Sequence, residues 1–149
     1  VNYFLDTSAL AKRYVNEVGT EWVRSLIDPT ANHVIVICEL TPVEYFSVLG
    51  RRQREGLLTP TDSAIFQARF LVDYRQEYIS VWLQPDVLMQ ARNLLLQYSL
   101  RTLDAIQLAS ALIFQQTFQE SIIFVSADQR LLALANEEGL SMDNPLQHP

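Results

Sequence analysis

Four acids stand at points where an apolar run or a loop gives way to a helical pattern: Asp6 in FLDTS, Glu44 in LTPVE, Asp104 in RTLDA and Asp128 in SADQR. Each alone is explained by helix capping. Thr41-Pro42-Val43-Glu44 reads as a capping box with proline at the first helical position, and Thr102 and Ser126 read as N-caps that place Asp104 and Asp128 in first turns. Taken together they allow a different chemistry. Two ionised carboxylates about 4 Å apart repel by roughly 4 kcal/mol at an effective dielectric near 20. A shared cation removes that repulsion, and a donor set made of oxygens alone selects hard Mg²⁺ or Mn²⁺ over zinc.

Whether the acids meet depends on the elements that carry them. Three β-rich runs are VNYFLD at the start, HVIVIC from residue 33 and SIIFVSAD from residue 121; YISVWL is a fourth, and LSMD a short edge strand. Helical patterns lie between them: TSALAKRYV, TEWVRSLI, TPVEYFSVLGRRQREG, TPTDSAIFQARFLVDYRQ, PDVLMQARNLLLQY, LDAIQLASALIFQQTF and DQRLLALANEEG. Strands alternating with helices predict an α/β fold, a three-layer α/β/α sandwich around a mainly parallel sheet of four or five strands. The length suits a single domain spanning residues 1–149. In a parallel sheet all strand C-termini lie along one edge, where open α/β folds place their sites. Asp6 and Asp128 must share that edge, and Glu44 and Asp104 join them if their helices open on the same rim.

Composition narrows the classes. Hydrophobic residues make up 49% of the chain and charged residues 19%, which excludes a disordered chain. Cys38 is the only cysteine, and His33 and His148 are the only histidines, so neither a disulfide framework nor a Cys/His zinc site fits within one chain. A reducing cytoplasm is the expected home. The chain opens on Val1, VNYFLDTSAL lacks the pattern of a secretory leader, and no apolar run approaches the ~20 residues of a membrane span. The net charge of −6 speaks against a protein that coats nucleic acid with lysines, although a metal-neutralised acidic pocket beside local arginines gives the same total. All the basic residues but Lys12 are arginines, the side chain suited to directed phosphate or carboxylate pairing.

At the residue level the sequence resembles a PIN domain, the ribonuclease fold of VapC-type toxins. The likeness runs through YFLDTSALAKRYV, ELTPVEYFSVLGRRQREG, LRTLDAIQLASAL and FVSADQRLLALANEEGL in order. It implies that Asp6, Glu44 and Asp104 are the first three family acids and Asp128 the more variable fourth. Ser8 and Ser126 are then the hydroxyls that contact the metal shell or orient a carboxylate. The resemblance further implies an endoribonuclease using Mg²⁺ or Mn²⁺, a homodimer, and a small antitoxin whose C-terminal segment crosses the acidic pocket.

Arg51, Arg52 and Arg54 fall where the Glu44 helix ends; they read either as bases complementing the helix dipole or as RNA-phosphate contacts. Lys12 and Arg13 allow the same two readings. The recurring aromatics Tyr45, Phe46, Phe66, Phe70, Tyr74 and Tyr78 read as core and interface, Cys38 as buried, His33 as exposed, and His148 as part of a loose tail; Glu17 reads as a solvated loop acid or as one that approaches the acidic pocket. An alternative class is a PIN-like module that binds RNA or protein without cutting. Dehalogenase-type phosphatases need a second acid where Ser8 stands, and phosphoaspartate receivers need a late lysine that the sequence lacks. No Gly-rich nucleotide loop is present.

Overall fold

The computed structural model describes residues 1–149. The strands are β1 (Asn2–Leu5), β2 (Val34–Cys38), β3 (Tyr78–Val81), β4 (Ile122–Val125) and β5 (Ser141–Asp143). The helices are α1 (Thr7–Leu10), α2 (Thr20–Ile27), α3 (Thr41–Arg54), α4 (Pro60–Gln76), α5 (Pro85–Gln97), α6 (Thr102–Phe118) and α7 (Gln129–Glu137). The five strands form one sheet in the order β3-β2-β1-β4-β5, and every pairing is parallel.

Alternation along the strands divides the core in two. Phe4, Val36, Cys38 and Phe124 point to the layer of α5, α6 and α7, while Leu5, Ile35, Ile37 and Val125 point to the layer of α1 to α4. Strands buried on both faces need continuous apolar runs, which VIVIC and IIFV supply. Tyr45 and Phe70 stack at 4.4 Å in the second layer, so these two aromatics are core.

Right-handed crossovers explain which helices go where. The chain steps from β1 to β2 to β3 in one direction, with α1 to α4 on one face; it then jumps back across β1 to β4 with α5 and α6 on the other face. The direction reverses between β1 and β4. Chain segments leaving those two strands therefore part to opposite faces and open a crevice at their C-terminal ends. Asp6 follows β1 there, and its N–H donates to the Val125 carbonyl (3.1 Å), continuing the ladder to the crevice floor.

Several local expectations are corrected. TSALAKRYV is one α-helical turn followed by a 3-10 turn at Ala11–Arg13. Thr41 and Thr102 are the first residues of their helices rather than caps: Leu40 and Arg101 hold the cap positions, and neither makes a side-chain cap bond. Ser126 does not cap α7, because Asp128 does so itself, accepting from the Arg130 and Leu131 N–H groups. His33 is half-buried with its ring edge against Tyr3. His148 is not loose: its ring stacks on Trp22 at 4.2 Å, and Nε2 lies 2.8 Å from Asp143.

Candidate active site

Asp6, Glu44, Asp104 and Asp128 line one cavity of about 430 Å³ above the crevice between β1 and β4. Four separate segments carry them: the β1–α1 junction, the first turn of α3, the first turn of α6 and the N-cap of α7.

Asp6 is the most constrained of the four. It is buried, and it caps α1 by accepting from the Ala9 N–H (2.9 Å). Ser8 Oγ donates to Oδ1 at 2.7 Å, and Ser126 Oγ donates to Oδ2 at 2.6 Å. Each hydroxyl is itself fixed by an N–H, from Ala127 onto Ser8 and from Asp128 onto Ser126. Burial nevertheless pushes the Asp6 carboxyl up to about 6; the hydrogen bonds from Ser126, Ser8 and Ala9 oppose the shift, and the charge of Asp104 adds to it. Glu44 is also raised, first by burial and then by Asp104, against the donors Gln107 and Thr7. The cavity thus gathers negative charge that its own hydrogen bonds only partly offset.

Arg101 is the cation nearest to Asp104, with Nε 3.1 Å from Oδ2 on a largely exposed side chain. No three of the acids, as placed, stand close enough to share a single ion directly.

Gln107 ties the acid-bearing segments together. It lies one turn beyond Asp104, on the same face of α6. Its buried Nε2 approaches Glu44 Oε1 (2.7 Å), Thr41 Oγ1 (3.1 Å) and Thr7 Oγ1 (3.2 Å), while its Oε1 is buried without a partner. The short contact to a carboxylate oxygen fixes the amide with its NH₂ toward Glu44. Gln107→Leu is expected to cost roughly 1–3 kcal/mol, the usual effect of stripping donors from buried acceptors. It should also raise the Glu44 carboxyl further, because burial remains when the donor is gone. Urea unfolding and an NMR titration of Glu44 measure the two effects; unchanged stability would contradict the account.

The bases divide. Arg51, Arg52 and Lys12 line the acid cavity. Lys12 is buried and pairs with Glu17 at 3.2 Å, and Arg52 approaches Glu17 at 3.7 Å. Glu17 therefore belongs to the cavity wall, the second of its two readings. Arg54 folds back beside Gly50 on its own helix.

Arg13 is turned away from the cavity. Its Nη1 donates to Glu77 (2.6 Å) and to the Tyr78 hydroxyl (2.5 Å) and lies 3.4 Å from Asp73, within a cluster completed by Tyr14. The guanidinium is committed to holding the Ala11–Arg13 turn against α4 and β3. Arg13→Ala is expected to cost roughly 2–3 kcal/mol, toward the low end for a broken buried pair because the side chain keeps some solvent. Denaturant titration measures the loss, and an unchanged midpoint would contradict it.

Sequence reasoning missed Gln107, Thr7, Thr41 and Arg101. The one available signal was a glutamine placed three residues after an acid inside the apolar run LDAIQLASAL.

Comparison with known proteins adds three findings. No curated protein matches the sequence. Among solved structures, PAE2754 from Pyrobaculum aerophilum superposes with a TM-score of 0.66 at 17% identity, over 99% of this chain and 85% of that one. VapBC2 from Rickettsia felis, solved bound to a DNA fragment from its promoter, gives 0.69 at 11% identity, over 97% of this chain and 98% of that one. At such identities the two likenesses establish the fold. The family model for the PIN domain matches residues 3–137, nearly the whole chain, and the chain belongs to the PIN domain family.

Proposed function

We propose that the chain is a metal-dependent endoribonuclease of the VapC type, a toxin held in check by a cognate antitoxin. The observation that carries this reading is the cavity at the β1–β4 switch point, which brings the carboxylates of Asp6, Glu44, Asp104 and Asp128 together from four distant segments. Family membership supports nuclease chemistry at that position.

The donor set fits a hard divalent ion. The four acids offer oxygen only, and neither histidine nor cysteine lines the cavity. Mg²⁺ keeps several of its waters and is held by one or two carboxylates, which suits acids that do not converge within direct reach of one another. Asp6 and Asp104 would hold it, with Glu44 and Asp128 acting through water. A bound Mg²⁺ or Mn²⁺ supplies an acidified water and offsets charge on the phosphate under attack.

The remaining work falls to the chain itself. Ser8 and Ser126 hold both Asp6 oxygens in one orientation, and Gln107 with Thr7 holds Glu44. Arg51 and Arg101 at the cavity edge attract the phosphodiester backbone toward an otherwise repulsive site. The same charge pattern suits an antitoxin whose arginine pairs with these carboxylates. We further propose a homodimer acting in the cytoplasm; the single buried cysteine suits a reducing compartment, and no helix is long and apolar enough to cross a membrane.

Brief induction of wild type and Asp6→Asn in cells, followed by mapping of new RNA ends, tests the reading. New ends carrying 5′-phosphate and 3′-hydroxyl groups, lost in the variant and in EDTA, are expected. Ends bearing 2′,3′-cyclic phosphate, or full activity in EDTA, would falsify a water-based, metal-dependent mechanism. Co-expression with the neighbouring small reading frame tests the antitoxin, with relief of toxicity as the expected result.

A further inference from the structure

A groove of about 510 Å³ opens beside the acid cavity, between the N-terminal halves of α3 and α6. The two hollows are continuous, since Glu44, Asp104, Arg51 and Arg101 line both. Their chemistry differs. The groove wall is aliphatic, formed by Leu40, Val43 and Leu103, and the last two are 68% and 45% exposed. Ser47 supplies a hydroxyl within it, and Arg51, which is in no ion pair, stands with Arg101 where the groove meets the acids.

We propose that this groove is a nucleotide subsite: it seats one unpaired base next to the scissile phosphodiester of single-stranded RNA, with that nucleotide's phosphate between Arg51 and Arg101. The proposal rests on the nuclease reading and assigns a place to one nucleotide beside the bond that is cut. Ligand pockets combine an apolar lining with a few placed polar groups, and in protein–RNA contacts phosphates fix position while unstacked bases enter pockets.

Charge complementarity selects a polynucleotide over a peptide. A polynucleotide presents a negative phosphate at every step, so it needs a cation over the acids and fixed positive groups at the next step. Arg51 and Arg101 stand at that next step. A peptide crossing both hollows has to change sign between them, basic over the carboxylates and acidic or neutral beside Arg51. A duplex is excluded because stacked, paired bases do not reach into a side groove. The groove holds no aromatic ring, and its neutral polar groups are the hydroxyls of Thr7, Ser47 and Thr102, each able to donate or accept, so the subsite accepts a base without strong selection among the four.

The test uses Asp6→Asn protein, to prevent cutting, and a short single-stranded oligouridine carrying 4-thiouridine. Photocrosslinks are expected within residues 40–47 or 101–103. Val43→Asp places a carboxylate on an exposed wall position and should weaken binding about tenfold in fluorescence anisotropy, with an unchanged melting temperature. Val72→Asp, on the exposed surface of α4 and outside the groove, is the control and should bind as the parent does. Crosslinks elsewhere, or unchanged affinity in Val43→Asp, overturn the subsite. RNA affinity that survives in Val43→Asp while association with a co-expressed antitoxin is lost reassigns the groove to a protein and also overturns it. The two readings fail separately: cutting by wild type with an indifferent Val43→Asp removes the subsite alone, whereas groove crosslinks without any cutting remove hydrolysis alone.

Discussion

Asp6→Asn is expected to abolish RNA cleavage and, in metal-free buffer at pH 8, to melt at a higher temperature than wild type. The loss of activity follows from removing a buried anion that orients and charges the site; an effect of several kcal/mol is ~10³-fold in rate. The gain in stability follows from the Asp6 carboxyl being raised to about 6 from an ordinary 3.8, mainly by burial. A folded-state value above the unfolded one means that the folded protein binds the extra proton between about pH 4 and 6. Stability therefore falls as pH rises through that window and stays lower above it.

Two units correspond to about 3 kcal/mol at most. Asparagine avoids that cost but turns an NH₂ toward one of the three groups now donating to Asp6, returning about 1 kcal/mol. The net gain is roughly 1–2 kcal/mol, or about 2–6 °C. At pH 4, where the wild-type carboxyl is protonated, the order should reverse. Mg²⁺ should raise the melting temperature of wild type and leave the variant nearly unmoved. A variant less stable than wild type at pH 8 without metal would remove the electrostatic account of Asp6.

Gly19→Ala is the second large effect, and it acts on stability through a contact between distant segments. Gly19 caps α2 with φ of 88°, in the left-handed region. A Cβ there would lie 2.5 Å from the Pro145 carbonyl oxygen and 2.8 Å from the Pro145 Cβ. The backbone term alone is about 1–2 kcal/mol, and relieving the clash means moving the 3-10 turn at Pro145–Gln147 and the His148–Trp22 stack with it. A total of roughly 2–4 kcal/mol is expected in denaturant unfolding. Gly56→Ala is the internal control, because its φ is 76° but nothing lies within 4 Å of the added carbon. It should cost about 1 kcal/mol, the conformational share alone. Equal losses at the two glycines would show that Pro145 yields freely. Because Glu17 lies two residues before Gly19, the Gly19 variant should also disturb the pairing of Glu17 with Lys12 and Arg52 in the cavity wall.

The layered fold was legible because apolar runs such as VIVIC and IIFV have no other way to bury both faces. The four acids were legible for the same reason: a parallel sheet sends Asp6 and Asp128 to one edge. Helix starts were read less well. Thr41 looked like a cap by local pattern, but a buried polar contact with Gln107 draws its hydroxyl into the tertiary structure instead. Lys12 and Arg13 are adjacent and chemically alike, yet one faces the cavity and the other a tyrosine and carboxylate cluster, a division that follows from the roughly 120° step between successive residues of a 3-10 turn. The place of His148 is not legible locally, because its partner Trp22 is far away in sequence.

The central place of β1 has a consequence for synthesis. This strand is made before the other four, yet one of its two neighbours, β4, is made only after β2 and β3. Until Ser126 and Asp128 arrive, a nascent chain displays Asp6, Glu44 and Asp104 without the opposite bank of the crevice. Long-range pairing of this kind delays assembly of the cavity until β4 and the Asp128 cap of α7 have been made.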